Sequence, residues 1–390
     1  MRRAIGYIGR ALLFLAVTVF LAIVVVPKFL DRIYYDGPVT AHFDGDRFAN
    51  PDGADDVMPP GGGMRRNPLN VIVRYLLGTD DRPQWPDHVA VDQSKPAARV
   101  EGERMVVTWV GHATFLIQTQ GLNILTDPVW SDTAGPLGLG PKRVAVPGIR
   151  FEDLPKIDAV VVSHNHYDHM DLKTLDRLWE RDQPVIVSSL GNDTVIGGNG
   201  AKTVTRDWGG RVTLKPGIDI VVSRNHHWST RFGTDRNRAL WSSFVLTLPK
   251  GGNVFFAGDT GFGDGKWPAE AASYGPIRLA LIPIGAFRFV PGGMNIGSHI
   301  GPIQAAEVFA RSGAARGIAM HWGTFRLSYE GYDTPPKLLA EVMKCRGQTG
   351  FAAEAIGRPV EIAPYASPPP AAPAGDVAAC MKSPAVIGLR

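Results

Sequence analysis

Cysteine is nearly absent from this chain: Cys345 and Cys380 are the two in 390 residues. A chain of this length can bury a core that needs no disulfide staples, so a small disulfide scaffold is excluded. Cys380 falls in a Pro/Ala-rich C-terminal stretch, and no bridge to Cys345 is expected. Charge of one sign is lacking too. Against 37 acidic residues stand 41 basic ones, a net +4, and no Lys/Arg-rich block of the kind that tracks a phosphate backbone occurs. Nucleic acid is therefore excluded as a partner, while a weak attraction to anionic lipid stays open. Long apolar runs are missing everywhere except at the N-terminus.

That one run is pronounced. Ala11 to Val26 holds no charged residue, and apolar character extends from Ala4 to Leu30, broken by Arg10 and Lys28. The length approaches the roughly 20 residues that span a bilayer core. A signal peptide has a shorter apolar region and a small-residue cleavage site, and Val24-Val25-Val26-Pro27 is a poor one. Residues 1–30 are thus expected to form an uncleaved transmembrane anchor. Arg2, Arg3, Arg10 and the free amine outweigh Lys28 and Arg32, which predicts a cytoplasmic N-terminus and the bulk of the chain on the extracytoplasmic side. Residues 31–104 read as a tether and extension, with Asn70–Leu77 as a short apolar element packed on the domain that follows.

The main domain is expected over 105–363. Met105–Trp109, Ala113–Ile117 and Leu122–Thr126 read as strands. The continuous apolar runs Ala159–Val162, Val185–Val187 and Leu279–Ile284 read as strands covered on both faces. Ile218–Val222 and Gly317–Met320 are further strands, and Ser243–Leu248 with Asn253–Ala257 form a hairpin. Helical spacing covers Leu172–Trp179, and a second helix starts at Pro302, where a missing N–H costs nothing. Residues 364–390, with Ser367-Pro368-Pro369-Pro370, read as a disordered tail.

What the chain does have is a concentration of metal-ligand chemistry. His164-Asn165-His166-Tyr167-Asp168-His169 puts three of the ten histidines and a carboxylate within six residues, directly after an apolar strand. Imidazole and carboxylate together suit zinc and similar divalent ions, and packing gives no reason to cluster them. His226-His227, Asp259 and His321 each follow another apolar strand. A satisfied core histidine or a turn aspartate explains each of these singly, but explains all of them together poorly. Strand-end loops held by a rigid sheet can bring such groups to one point.

These strings resemble the metallo-β-lactamase-fold hydrolases: Gly111-His112-Ala113-Thr114-Phe115, Thr126-Asp127-Pro128, the His-x-His-x-Asp-His signature at 164–169, His227, Gly258-Asp259-Thr260-Gly261 and His321. Within that group, Gly140-Pro141-Lys142-Arg143, His227-Trp228, Ile282-Pro283-Ile284-Gly285-Ala286 and His321-Trp322-Gly323-Thr324-Phe325 resemble the N-acylphosphatidylethanolamine-hydrolysing phospholipase D family. The resemblance covers about residues 105–345. It implies an α/β four-layer αββα sandwich in one domain and two divalent metal ions, most simply Zn2+. His164, His166 and His227 would bind one ion, Asp168, His169 and His321 the other, and Asp259 would bridge them. His227, not His226, matches the family position beside Trp228. Seven ligands exceed what one four-coordinate zinc holds, while iron or manganese would suit the same donors.

Asp127 and His112 are candidates for fixing the imidazoles from behind. His299, before the second helix, matches a family histidine outside the ligand set and is expected to bind phosphate or protonate a leaving alkoxide. Lys142 and Arg143 could neutralise a phosphate. The reading is a membrane-anchored phosphodiesterase of phospholipase D type. A hydroxide held between two ions would attack phosphorus, with Asp168 and Asp259 orienting it. The expected partners are a phospholipid substrate, the membrane and a second copy of the chain. A hydrolase of a soluble lactone or phosphate ester is the alternative. A non-catalytic metal-binding protein is a third reading, disfavoured because no ligand position has been lost.

Overall fold

The computed structural model describes residues 2–30, 32–53, 82–289, 297–368 and 374–389. Two seven-stranded mixed sheets lie face to face. The first runs through β1 (Met105–Gly111), β2 (Thr114–Thr119), β3 (Leu122–Thr126), β4 (Ala159–Val162), β5 (Val185–Ser189) and β6 (Thr203–Arg206), with β14 (Pro359–Glu361) outside β1. The second runs through β7 (Arg211–Lys215), β8 (Ile218–Ser223), β9 (Ser243–Thr247), β10 (Asn253–Phe256), β11 (Ile277–Pro283), β12 (Arg316–Met320) and β13 (Phe351–Ala352). In each sheet an antiparallel half passes into a parallel half. β1 to β3 form a meander, after which β3 to β6 pair in parallel. β7 to β10 pair antiparallel, and β10 to β13 pair in parallel.

Residue pattern explains the layering. Every side chain of β2, β3, β4, β10 and β11 is buried, as strands covered on both faces require. Ile117, Ile124 and Val161 of the first sheet meet Ile220, Phe244 and Phe256 of the second between the sheets. On the outer face of the first sheet, helix α2 (Leu172–Asp182) sets Leu175 and Leu178 against Val160 and Ile186. On the outer face of the second, α3 (Pro302–Ser312) and α4 (Thr334–Cys345) bury Ala305, Phe309, Leu338 and Val342. The layers therefore read helix, sheet, sheet, helix. α3 starts with Pro302 in its first turn and is capped by Gly313 in left-handed geometry, the expected asymmetry of a helix's two ends.

β3, β4, β8, β10 and β12 all deliver their carboxyl ends to the same edge of the sandwich. The β1–β2 turn, at the amino end of the antiparallel β2, comes to that edge as well.

The structure departs from expectation at both ends. The N-terminal helix α1 covers Arg2–Leu30. Among the described residues no helix is long and apolar enough to cross a membrane. This overturns the expected membrane-anchored placement with its extracytoplasmic domain. Run length and charge asymmetry are necessary for a span, not sufficient. The predicted element at Asn70–Leu77 lies outside the described residues.

Residues 32–53 do not behave as a loose tether. Phe43 and Phe48 pack on Leu240 and Trp241, and Tyr34 donates to Asp235 at 2.7 Å. The C-terminal stretch is likewise not free. It forms α5 (Ala374–Cys380) and α6 (Pro384–Ile387). A Cys345–Cys380 disulfide fastens it to α4, and Val386 is fully buried. The Pro/Ala composition lowered its apparent ordering tendency, but one covalent link and one buried apolar side chain supply what local propensity lacks. Closing a loop of 35 residues removes chain entropy from the unfolded state. Cys380→Ser is therefore expected to lower unfolding free energy by about 2–4 kcal/mol. Guanidinium titrations of variant and parent under non-reducing conditions check this, and equal midpoints would mean that the tail adds nothing to stability.

Candidate metal centre

The loop after β4 carries His164, His166, Asp168 and His169, the loop after β8 carries His227, that after β10 Asp259, and His321 directly follows β12. The structure brings all seven to one point. Ligand-type atoms of four overlapping groups lie within 4.8 Å of one another: His112, Asp168, His169 and His321; His164, His166 and His227; His164, His169 and Asp259; His227, Asp259 and His299. Of the seven predicted ligand residues, His164, His169, His227, Asp259 and His321 are no more than 2 % exposed, and His166 and Asp168 are half-buried at the rim.

Distances show how the groups face each other. Asp259 Oδ2 lies 3.1 Å from His169 Nε2, 3.0 Å from His321 Nε2, 4.0 Å from His227 Nε2 and 3.9 Å from His299 Nδ1. Asp168 Oδ2 lies 3.4 Å from both His169 Nε2 and His321 Nε2. His164 Nε2 and His166 Nδ1 are 2.8 Å apart, and His227 Nε2 is 3.5 Å from His166 Nδ1. His226 turns the other way and meets Asp52 at 2.8 Å, so of the adjacent pair only His227 joins the cluster.

Hydrogen bonds behind the cluster fix which nitrogen points inward. His169 Nδ1 donates to Asp127 Oδ2 at 2.7 Å, and the Ser163 hydroxyl donates to the same carboxylate at 2.6 Å. With its proton so engaged, Ser163 Oγ accepts from His164 Nδ1 at 2.9 Å. His227 Nδ1 donates to the Ser298 carbonyl at 2.8 Å. These bonds leave the Nε2 lone pairs of His164, His169 and His227 directed at the common centre. His112 Nε2 meets Asp168 Oδ2 at 2.9 Å and orients that carboxylate. Asp127 and His112 thus stand where the sequence placed its supporting groups.

The donor set fits metal ions. A lone pair on His169 faces two carboxylates, an arrangement that repels unless a cation lies between. His166 Nε2 and Asp259 Oδ1 are buried with no hydrogen-bond partner. Such orphaned groups cost free energy that a coordinated ion would recover. Burial lowers the proton affinity of His164 and His227 far below the usual imidazole range, and that of His166 to about 4. Their nitrogens are therefore free for coordination at neutral pH. Burial opposes charge on His321 and His169 as well, yet Asp259 and Asp168 override it and raise His321 to about 9 and His169 well above its ordinary value. The two aspartates make this half of the centre a place that demands positive charge.

Backbone geometry adds constraint. His112, Asp127 and His321 adopt positive φ of 54°, 32° and 64°, a conformation that side-chain-bearing residues avoid and that clusters at functional sites. The His321 N–H donates to the His112 carbonyl at 3.0 Å, which holds both. Gly258 precedes Asp259 with φ 61°, and a Cβ there would lie 2.9 Å from Ser163 Cβ, so glycine lets the two sheets' loops approach.

Some supporting residues gave no signal in the sequence. Asn50 donates to the His227 carbonyl at 2.8 Å and accepts from Trp241 Nε1. Asp52 holds His226 and pairs with Arg224. Both lie in the segment read as a tether. Arg231 closes the 164–169 loop by donating to the Met170 carbonyl at 2.7 Å, and its guanidinium stacks on Tyr167 at 3.8 Å. Arg143 does not face a substrate. It is spent on the Val129, Ser131 and Ala145 carbonyls and is lowered to about 10 by burial.

Residues 122–322 match the family model described as the beta-lactamase superfamily domain. The fold and the His/Asp centre thus define a metal-dependent hydrolase of the metallo-β-lactamase superfamily. The chain is 35% identical over 302 residues to N-acyl-phosphatidylethanolamine-hydrolyzing phospholipase D 1 of Caenorhabditis elegans, covering 73% of this chain and 84% of that one. It is 33% identical over 246 residues to the mitochondrial enzyme of that name from Saccharomyces cerevisiae, covering 61% and 52%. Among solved structures, the isothiocyanate hydrolase from Delia radicum gut bacteria superposes with a TM-score of 0.54 at 18% identity, over 67% of this chain and all of that one. The chain belongs to the family of the N-acylphosphatidylethanolamine-hydrolysing phospholipases D.

Support from Asp127 is open to a direct check. Asp127→Asn keeps the shape but replaces one acceptor oxygen by an amide, so the Ser163 and His169 bonds cannot both persist. Metal affinity, read by competition with a chromogenic chelator, is expected to fall about 10–100-fold with the fold retained. Unchanged affinity would show that the carboxylate only ties loops together.

Proposed function

We propose that the protein is a binuclear phosphodiesterase of phospholipase D type, acting on N-acylphosphatidylethanolamine-like lipids. The observation that carries this reading is the gathering of six buried or half-buried His/Asp side chains around Asp259, in a chain 35% identical to an enzyme named for that substrate. His164, His166 and His227 would hold one divalent ion, Asp168, His169 and His321 the other, and Asp259 would serve both. Zinc suits this donor set, with three protein ligands from one side and the common carboxylate for each ion. Bound ions would supply an acidified water and neutralise charge on the phosphoryl group.

The chain's own residues then have defined tasks. Asp168, oriented by His112, and Asp259 position the attacking water and take up its proton at a carboxylate oxygen. Water oxygen bonds to phosphorus as the bond from phosphorus to the ethanolamine oxygen breaks, leaving phosphatidate and an N-acylethanolamine. His299 stands beside Asp259 with its imidazole lowered to about 4 by burial. An incoming phosphodiester anion favours its protonated form, and it delivers that proton to the departing alkoxide. Burial of the whole constellation excludes bulk water and strengthens these charge interactions.

The test is hydrolysis of N-acylphosphatidylethanolamine, bis(p-nitrophenyl) phosphate and an acyl-homoserine lactone by the purified chain, with the lipid reaction run in 18O-water. The expected outcome is lipid turnover with the label in phosphatidate, and loss of kcat by about 10²–10⁴-fold in Asp259→Asn. Turnover of the lactone alone would replace this reading by that of a soluble-ester hydrolase. Full activity in Asp259→Asn would remove the shared carboxylate from the mechanism.

A further inference from the structure

The hairpin that precedes the buried Arg143 carries two leucines in solvent. Thr133 bridges Lys142 as an antiparallel pair, and Ala134 donates to the Pro141 carbonyl at 3.0 Å. Between them Gly135-Pro136-Leu137-Gly138-Leu139-Gly140 forms the tip. Leu137 is 98% exposed and Leu139 68%. Among the described residues Leu137 is the most exposed large apolar side chain.

The tip is built, not slack. A Cβ on Gly135 would sit 1.8 Å from the Leu139 carbonyl oxygen, and one on Gly140 would sit 2.6 Å from that of Ala134, so only glycine permits the two arms to close. Leu137 itself has φ 54° and ψ 29°, a left-handed conformation that glycine or asparagine adopts far more readily than leucine. A glycine there would relieve the backbone and remove an apolar surface. Leucine at this position serves neither backbone nor core, so its use lies outside the folded chain.

The hairpin is rooted beside the candidate centre. Arg143, the residue after its closing bridge, pairs with Phe325 and places its guanidinium 5.1 Å from that ring. Phe325 lies 5.2 Å from His112, which in turn bonds Asp168. Val144 donates to the Thr324 carbonyl at 2.9 Å. Within the 133–142 hairpin Lys142 is the one charged residue, and it is exposed, while Asp132 and Arg143 flank the root.

We propose that the 133–142 hairpin is an interfacial docking device. Leu137 and Leu139 enter the acyl boundary of a phospholipid surface, while exposed Lys142 meets the phosphate layer. This rests on the lipid-substrate reading and deepens it, since it gives the route by which a bilayer-resident phosphodiester reaches the centre. The chemistry favours lipid over a second protein. A stable protein interface needs roughly 800 Å² per partner and a flat, well-packed core. A protruding pair of leucines with a neighbouring cation instead suits shallow, reversible insertion, in which apolar burial and attraction to phosphate add.

The experiment uses the full chain. Both native cysteines are joined in the disulfide, so Leu139→Cys can be labelled uniquely with an environment-sensitive fluorophore, with Lys215→Cys on the exposed β7 as control. Phosphatidylcholine vesicles containing phosphatidylglycerol are added without any cleavable substrate. A blue-shifted emission at position 139 and none at 215 is expected. Absence of a shift at 139 would overturn the proposal, as would a shift that appears on protein concentration without vesicles, which would mean self-association. As a second measurement, Leu137→Asn with Leu139→Gln keeps the left-handed turn tolerable. Its apparent KM for vesicle-borne N-acylphosphatidylethanolamine is expected to rise at least about tenfold, with kcat/KM for bis(p-nitrophenyl) phosphate unchanged. An equal fall on both substrates would overturn docking. A fluorophore that inserts in a chain that cleaves no lipid would leave docking standing and remove the lipid-hydrolase reading.

Discussion

The buried Asp127 carboxylate carries more of the architecture than any other single group. One of its oxygens accepts from the Ser163 backbone N–H at 2.7 Å, and the other accepts from both the Ser163 hydroxyl and His169. Through Ser163 the chain of bonds reaches His164. A single side chain at the end of β3 therefore sets the tautomers of two imidazoles on the loop after β4, and does so in a place with no exposure to solvent. A buried charge is tolerable only when fully hydrogen-bonded and paired. The consequence is rigidity: turning His169 would cost Asp127 a hydrogen bond, and turning His164 would cost the Ser163 hydroxyl one.

The rest of the centre solves a related problem. Seven groups that would each rather meet water are packed around a small volume, with Asp259 Oδ2 near four imidazoles. Hydrophobic burial of the two sheets forces the strand ends together, and the loops inherit the electrostatic cost. Positive φ at His112 and His321, and the Gly258 turn, show backbone shaped to aim side chains rather than to relax. Stability from the sandwich core is thus converted into an aimed set of lone pairs, which is what a hydrolytic metal centre requires.

Strand identity and ligand convergence were legible because both leave local marks. A run such as Ala159–Val162 announces a doubly covered strand, and a His/Asp string directly after it has no packing purpose. Asp127 and His112 were legible as partners for the same reason: each sits at a strand end. The contributions of Asn50, Asp52 and Arg231 were not. Their partners, His227, His226 and Met170, lie 60 to 180 residues away, and nothing in an irregular Gly/Asp-rich segment marks which polar residue will meet them. The ends of the chain misled for an opposite reason. Composition there reports on local propensity, whereas the Cys345–Cys380 link and the buried Phe43 and Phe48 are decided by tertiary context.

The central claim is that the cluster around Asp259 is a site for two divalent cations. Its most direct test is the metal content of the purified chain by elemental mass spectrometry, after dialysis against metal-free buffer and zinc reconstitution. Two tightly held ions per chain are predicted. A native chain that retains none, or binds no more than one at saturation, would contradict the account.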